Sequence, residues 1–130
     1  MSTNERRVVV TGMGLVSPCG NSVEESWRNI LDGVSGIDRI TAFDVSDYAS
    51  QIGGEVKNFD PLQFMDKKEA RRTDRSVQLA LAAATEAMKS VDEEVGDRDR
   101  FGTIIGSGIG GISTFEEQHT VLLEKGPSRI

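Results

Sequence analysis

The chain has 130 residues, of which 37% are hydrophobic and 28% charged, and a net charge of −6. This is the length and composition of one globular domain, which excludes a disordered or fibrous chain. The acidic balance argues against general nucleic-acid binding, the single cysteine excludes an internal disulfide framework, and no apolar run nears the roughly 20 residues of a membrane span. Residues 1–7 are polar, with too few apolar residues after them for a secretory leader, so the expected location is the cytoplasm.

Residues 7–12, Arg-Val-Val-Val-Thr-Gly, are β-branched and bounded by glycine, which predicts a buried strand. A loop follows through Gly14, Pro18, Cys19 and Gly20. Asn21 fits a helix N-cap, with Glu24 three residues on in a capping-box spacing. Val23, Trp27, Ile30 and Leu31 recur at i, i+4, i+7 and i+8 and form one apolar face. Gly33 stands where a glycine ends such a helix. Residues 33–60 contain breakers at Gly33, Gly36, Gly53, Gly54 and Asp60-Pro61, and predict irregular structure with one short edge strand within 51–57.

Residues 66–91 predict one long helix. Val77, Ala80, Leu81, Ala84, Ala87, Met88 and Val91 keep a 3.6 period, and Leu79, Ala82 and Ala83 make the other side apolar. Such a helix is expected to be buried, its alanines allowing neighbours to come close. A charged connector over 92–100 leads to residues 101–105, Phe-Gly-Thr-Ile-Ile, a second expected buried strand. It runs into Gly106-Ser107-Gly108-Ile109-Gly110-Gly111 and then a helical pattern from Ile112 to Lys125. Glycine at this density serves positive φ or the close approach of something to the main chain. Strands alternating with helices predict an α/β chain with a parallel sheet, and two strands are too few to complete one.

Gly106, Gly108 and Gly111 satisfy G-x-G-x-x-G, which in a dinucleotide site seats a pyrophosphate on a helix N-terminus. The fingerprint also needs a second strand ending in an acid about 20 residues later. Gly126-Pro127-Ser128-Arg129-Ile130 supplies none. Gly12 and Gly14 imitate the motif, but Ser17-Pro18 stand where its helix should begin. Cys19 lies between Pro18 and Gly20, with the only histidine, His119, on a separate helix, and reads as a small loop residue rather than a nucleophile. His119 follows Glu116 and Glu117 on a polar face without a cluster of further ligands, so no metal is expected.

Residues 66–75 carry five cations against three anions, a local +2 that leaves −8 for the remainder. Lys68, Arg71, Arg72 and Arg75, at i, i+3, i+4 and i+7, are expected on one helix face. That face is either a docking point for an acidic partner or a solvated surface partly neutralised by Glu69 and Asp74.

Taken together, these stretches resemble the N-terminal part of the β-ketoacyl-acyl-carrier-protein synthase family, and are most similar to its type II members of bacterial fatty-acid synthesis. The likeness rests on Arg6-Arg7-Val8-Val9-Val10-Thr11-Gly12-Met13-Gly14, Ser17-Pro18-Cys19-Gly20-Asn21, Gly36-Ile37, Phe43-Asp44, Arg71-Arg72-Thr73-Asp74 and Ile105-Gly106-Ser107-Gly108-Ile109-Gly110-Gly111. It continues through Glu116-Glu117-Gln118-His119-Thr120 to Gly126-Pro127, in order along essentially the whole chain.

The resemblance implies a thiolase-like layered α/β fold of two similar halves in a homodimer, with residues 1–130 an incomplete first half. It implies a decarboxylative Claisen condensation between an acyl thioester and a malonyl thioester carried by acyl carrier protein, with no organic cofactor. In the family pattern the nucleophilic cysteine, two histidines and a lysine lie beyond residue 130. This span is therefore expected to hold no catalytic residue and to be inactive alone; Cys19 and His119 match positions outside the catalytic set. Gly108 and Ile109 match the loop that lines the acyl pocket, Ile109 gating longer chains. Lys68, Arg71, Arg72 and Arg129 match residues that the family presents to the carrier protein, with Ser128 replacing a basic residue. Two other readings share features of the sequence: a non-catalytic chain-length-factor subunit of the same fold, and a dinucleotide-binding domain.

Overall fold

The computed structural model describes residues 7–91 and 97–130. The polar start over 1–6 and most of the acidic part of the connector, 92–96, lie outside the described residues. In chain order the elements are helix α1 (Val23–Leu31), strands β1 (Ile37–Arg39) and β2 (Ile52–Gly54), a 3-10 turn (Pro61–Gln63), helices α2 (Lys67–Ala70) and α3 (Arg75–Met88), a 3-10 turn (Arg98–Arg100), helix α4 (Ile112–Lys125) and a last 3-10 turn (Pro127–Arg129).

α1 begins one residue later than the sequence suggests. Ser22, in extended conformation, is the N-cap, and its hydroxyl accepts from the Glu25 main chain at 3.1 Å. Glu25 reaches back to the Asn21 N–H at 2.7 Å. The capping pair is thus Ser22 with Glu25, not Asn21 with Glu24, and the return bond falls on the residue before the N-cap. The helix ends as expected at Gly33, with φ of 71°. Gly33 N–H bonds to Ile30 O at 3.1 Å and Val34 N–H to Asn29 O at 2.8 Å, the paired closure that satisfies the last carbonyls. Trp27, Ile30 and Leu31 remain exposed. The fully buried residue of α1 is Ser26, whose hydroxyl pairs with Ser17 Oγ at 3.0 Å and donates to Gly20 O at 3.1 Å.

The sheet among the described residues is a two-stranded antiparallel ribbon, not the expected parallel one. Ile37 lies opposite Gly54, Asp38 opposite Gly53 and Arg39 opposite Ile52. The edge strand expected within 51–57 is therefore present but shorter, and its partner β1 lies in what the sequence presents as loop. Gly36 and Gly54 both pass against Pro18, where an added Cβ would come within 2.8 and 2.9 Å of its ring.

Two expected strands do not form. Residues 7–12 and 101–105 are not in strands, and Val8 is 95% and Ile104 100% exposed. β-branched residues favour a strand only where a neighbour takes up the ladder of N–H and C=O groups and the side-chain faces. No strand lies beside either segment among the described residues.

The expected helix over 66–91 is two helices. Asp66 caps α2, accepting from Lys68 and Glu69 N–H at 2.8 and 2.9 Å. The chain then turns, the Thr73 hydroxyl donates back to Glu69 O, and Asp74 takes the extended N-cap conformation of α3. Gln78, buried on α3, seals the break by donating to Ala70 O at 2.9 Å and Thr73 O at 3.0 Å. Of α3 only Gln78 and Ala82 are buried, so it is not covered all round.

The alanines of α3 do admit a close neighbour. A Cβ at Gly12 would sit 2.0 Å from Ala87 O, and one at Gly14 1.8 Å from Ala83 O. The N-terminal segment therefore crosses α3 backbone to backbone. Glu86, on the same helix, holds both crossing segments, accepting from Leu15 N–H at 2.9 Å and Val23 N–H at 3.0 and 3.2 Å. The buried apolar core is small: Val45, Met65 and Ala82. The accessible surface is 11153 Å² for 14.1 kDa. A compact monomer of that mass exposes about 6,700 Å².

Candidate functional site

Two neighbourhoods matter, the basic segment and the glycine loop. In the first, the cap on α2 fixes the direction in which Lys67 and Lys68 leave the helix, and the turn at Arg71 and Arg72 follows directly. All four side chains are exposed. Lys67, Lys68, Arg71 and Arg72 line a shallow depression of about 370 Å³, and Lys68 and Arg72 also border an adjoining one of about 390 Å³. The structure thus brings Lys68, Arg71 and Arg72 together as expected, although the helix thought to align them is broken.

Arg75 leaves the group. Its guanidinium donates to Val56 O at 3.0 Å and lies 5.1 Å over the Phe59 ring. Arg129 sits in the last 3-10 turn and lines neither depression. The neutralising role considered for Glu69 and Asp74 is not seen. The ion pairs among the described residues are Arg28–Glu24 and Lys57–Asp38, both at 2.6 Å. No contact ion pair joins the basic segment to an acid among the described residues, although Asp66 and Glu69 border the adjoining depression beside Lys68 and Arg72.

In the second neighbourhood, α4 spans Ile112–Lys125 with the bounds read from the sequence. Gly110 has φ of 73°, a conformation that favours glycine, and Ser107 Oγ accepts from Gly110 N–H at 2.8 Å. Gly108 has open space where a side chain would stand, and Ile109 is 76% exposed. Asp74 is the described group that meets this loop. Its carboxylate accepts from Thr114 Oγ1, and a Cβ at Gly111 would come within 2.2 Å of it. In the sequence Asp74 stands out only as a partial neutraliser of the basic face and as the last residue of Arg71-Arg72-Thr73-Asp74; its reach of 40 residues to Thr114 has no local signature.

The remaining candidates keep modest roles. Cys19 closes a tight turn in which Ser17 and Gly20 exchange main-chain bonds at 2.8 and 3.1 Å. Its main-chain N–H donates to Ser17 Oγ at 3.1 Å, and its thiol faces Val34 O at 3.9 Å. The turn borders a cavity of about 240 Å³. His119 stacks on Phe115 with ring centroids 6.3 Å apart. The partner of the Cys19 thiol is thus Val34 O and that of the His119 ring is Phe115. Among the described residues no three His, Cys, Asp or Glu side chains gather as metal ligands. The dinucleotide reading loses its strand, since residues 101–105 do not form one.

Residues 5–130 match the β-ketoacyl synthase N-terminal domain. The chain belongs to that family. A 3-oxoacyl-[acyl-carrier-protein] synthase 2 of Staphylococcus aureus strain N315 is 52% identical over 132 residues, covering 100% of this chain and 32% of the relative. A protein of the same name from Synechocystis sp. is 46% identical over 127 residues, covering 96% of this chain and 30% of its own length. The chain therefore spans about a third of the relatives it matches. Among solved structures, the ishigamide ketosynthase/chain length factor superposes with a TM-score of 0.73 at 28% identity, over 93% of this chain and 30% of that one. The synthase domain accordingly has the α/β, thiolase-like fold of ketosynthases, of which the described residues contribute the helices and a small sheet. No helix among the described residues is long and apolar enough to cross a membrane.

Proposed function

We propose that this chain is the N-terminal portion, an incomplete first half, of a condensing β-ketoacyl synthase of fatty-acid synthesis. The observation that carries this is 52% identity, along the whole chain, to a relative whose name is that of such a synthase. The large excess of exposed surface supports it, because Val8, Val9, Val10, Ile104 and Ile105 present apolar faces that further polypeptide or a second copy would cover. A homodimer in the cytoplasm is part of the same proposal.

In that reaction an acyl group passes from a carrier-protein thioester to an enzyme cysteine, and the carrier thiolate leaves. A malonyl thioester then loses CO₂, and the resulting enolate attacks the acyl-enzyme carbonyl. The enzyme thiolate is released with the 3-oxoacyl thioester. Oxyanion stabilisation and the nucleophile belong to residues outside this chain. What this chain supplies is binding: Lys68, Arg71 and Arg72, with Arg129 as a further contact, meet the acidic carrier, while Gly108 and Ile109 border the acyl tail. The 130 residues alone are inactive in this reading.

The test is to give the intact protein an acyl-carrier thioester and then malonyl carrier. The expected result is an acylated cysteine by intact mass, followed by CO₂ release and a 3-oxoacyl product. Binding of the carrier without acylation would instead identify a chain-length-factor subunit, like the partner of the ketosynthase in the solved relative's name.

A further inference from the structure

Asp74 starts α3 with its main chain and spends its side chain elsewhere. Val77 and Gln78 N–H both bond to its carbonyl at 3.0 Å, yet its carboxylate caps nothing on its own helix. It turns to the start of α4 instead, where it accepts the Thr114 hydroxyl. The N-cap of α4 is Gly111, which has no side chain to cap with, and α4 has no side-chain cap of its own. A carboxylate in front of a helix start is favoured by the unsatisfied N–H groups and the helix dipole. The fit is close: Asp74 Cγ and Oδ2 stand 2.2 Å, and Oδ1 2.3 Å, from the position a Cβ on Gly111 would take. Only glycine lets the carboxylate this near.

The rest of the loop is open. Cβ positions at Gly106, Gly108 and Gly110 meet nothing within 4 Å. Its one described internal side-chain tie is Ser107 to Gly110. On the other side, Asp74 follows Arg71, Arg72 and Thr73, a turn pinned by Gln78 to Ala70 and Thr73 carbonyls. One carboxylate therefore joins a pinned turn to the start of α4, directly after a loop that has no other side-chain tie to the rest of the described chain.

We propose that Asp74 is a positioning residue, tied to the first turn of α4 through the Thr114 hydroxyl, which sets the place of the 106–111 loop and thereby the acyl-chain length accepted at Ile109. The link to chain length rests on the acyl-pocket reading given above; the clamp itself does not.

The experiment uses the intact protein with Asp74→Asn, which keeps the shape but removes the charge, and Thr114→Val, which removes the donor. Thr114→Ser restores the donor. Hydrogen exchange of the amides over 108–115 should speed up about tenfold in the first two, as expected for loss of one charge-assisted hydrogen bond, and return to normal in Thr114→Ser. The ratio of kcat/KM between long and short acyl chains should flatten, with KM for the carrier unchanged. Should Asp74→Asn fail to fold, Thr114→Val with its serine rescue decides alone. Unchanged exchange at 108–115 overturns the proposal. Faster exchange with unaltered chain selectivity, while Ile109→Phe does shift selectivity, overturns the link to chain length and leaves the pocket standing. Faster exchange with a profile that neither Asp74→Asn nor Ile109→Phe moves supports the clamp and sinks the pocket reading.

Discussion

The Glu86 carboxylate accepts the Val23 N–H at 3.0 and 3.2 Å through its two oxygens, so a residue near the end of α3 closes the start of α1 across 63 positions of sequence. One of the same oxygens accepts Leu15 N–H at 2.9 Å. Glu86 thus replaces solvent for two main-chain donors and places a negative charge at a helix start. Glu86→Ala should cost about 2 kcal/mol and Glu86→Gln about half that. The check is hydrogen exchange at Leu15 and Val23, with the thermal midpoint of the intact protein falling in the same order.

The crossing of the N-terminal segment over α3 admits no side chain. Gly12→Ala and Gly14→Ala would drive a Cβ to 2.0 and 1.8 Å from main-chain oxygens of Ala87 and Ala83, neither of which can rotate away. Each should cost about 3 kcal/mol or more and lower soluble yield. Gly108→Ala meets no described atom within 4 Å and serves as the comparison. Equal melting of all three variants would contradict the crossing.

Residues 40–55 contain a pH-dependent closure. The Thr41 hydroxyl, then the Ala42 and Thr41 N–H groups, hold the Glu55 carboxyl below its ordinary range. Asp38 is lowered as well, first by its hydrogen bond to Lys57. A folded-state value below the unfolded one means stabilisation that is present above the unfolded value and lost as pH falls through the folded one. An NMR titration of Glu55 should show its midpoint below that of a free glutamate, and Thr41→Val should move it up. A midpoint indifferent to Thr41 would remove the cause assigned here.

Much of this was legible where the signal is local. The bounds of α4 follow from its glycine brackets, since Gly111 and Gly126 stop the helical pattern at both ends. The end of α1 follows from Gly33, the residue suited to φ of 71° there. The failures share one cause. Val8, Val9, Val10, Ile104 and Ile105 have strand-forming side chains, but a strand is a relation between segments, and the described chain holds no neighbour for them. The break between α2 and α3 goes with the Thr73 hydroxyl bonding back to Glu69 O and with Asp74 taking an extended main-chain conformation, a change the apolar period hid. Glu86 and Asp74 look like ordinary helix-surface acids in sequence; their partners come from 63 and 40 residues away.

The docking surface makes an electrostatic prediction. Arg71→Glu with Arg72→Glu should raise KM for the carrier protein about tenfold or more, mainly through slower association. The defect should shrink as salt is raised, because exposed charges are screened over about 8 Å at physiological ionic strength. Arg75→Glu should affect the carrier less, since its guanidinium is engaged by Val56 O and Phe59. A KM that ignores both reversal and salt would mean the segment is merely solvated.

The central claim is that the main chain around Gly108 and Ile109 makes room for an acyl tail, and it is tested most directly by the chain-length profile of the intact protein carrying Ile109→Phe. The account predicts that kcat/KM for short acyl-carrier substrates is retained while the longest accepted chain shortens. A profile identical to that of the parent would contradict it.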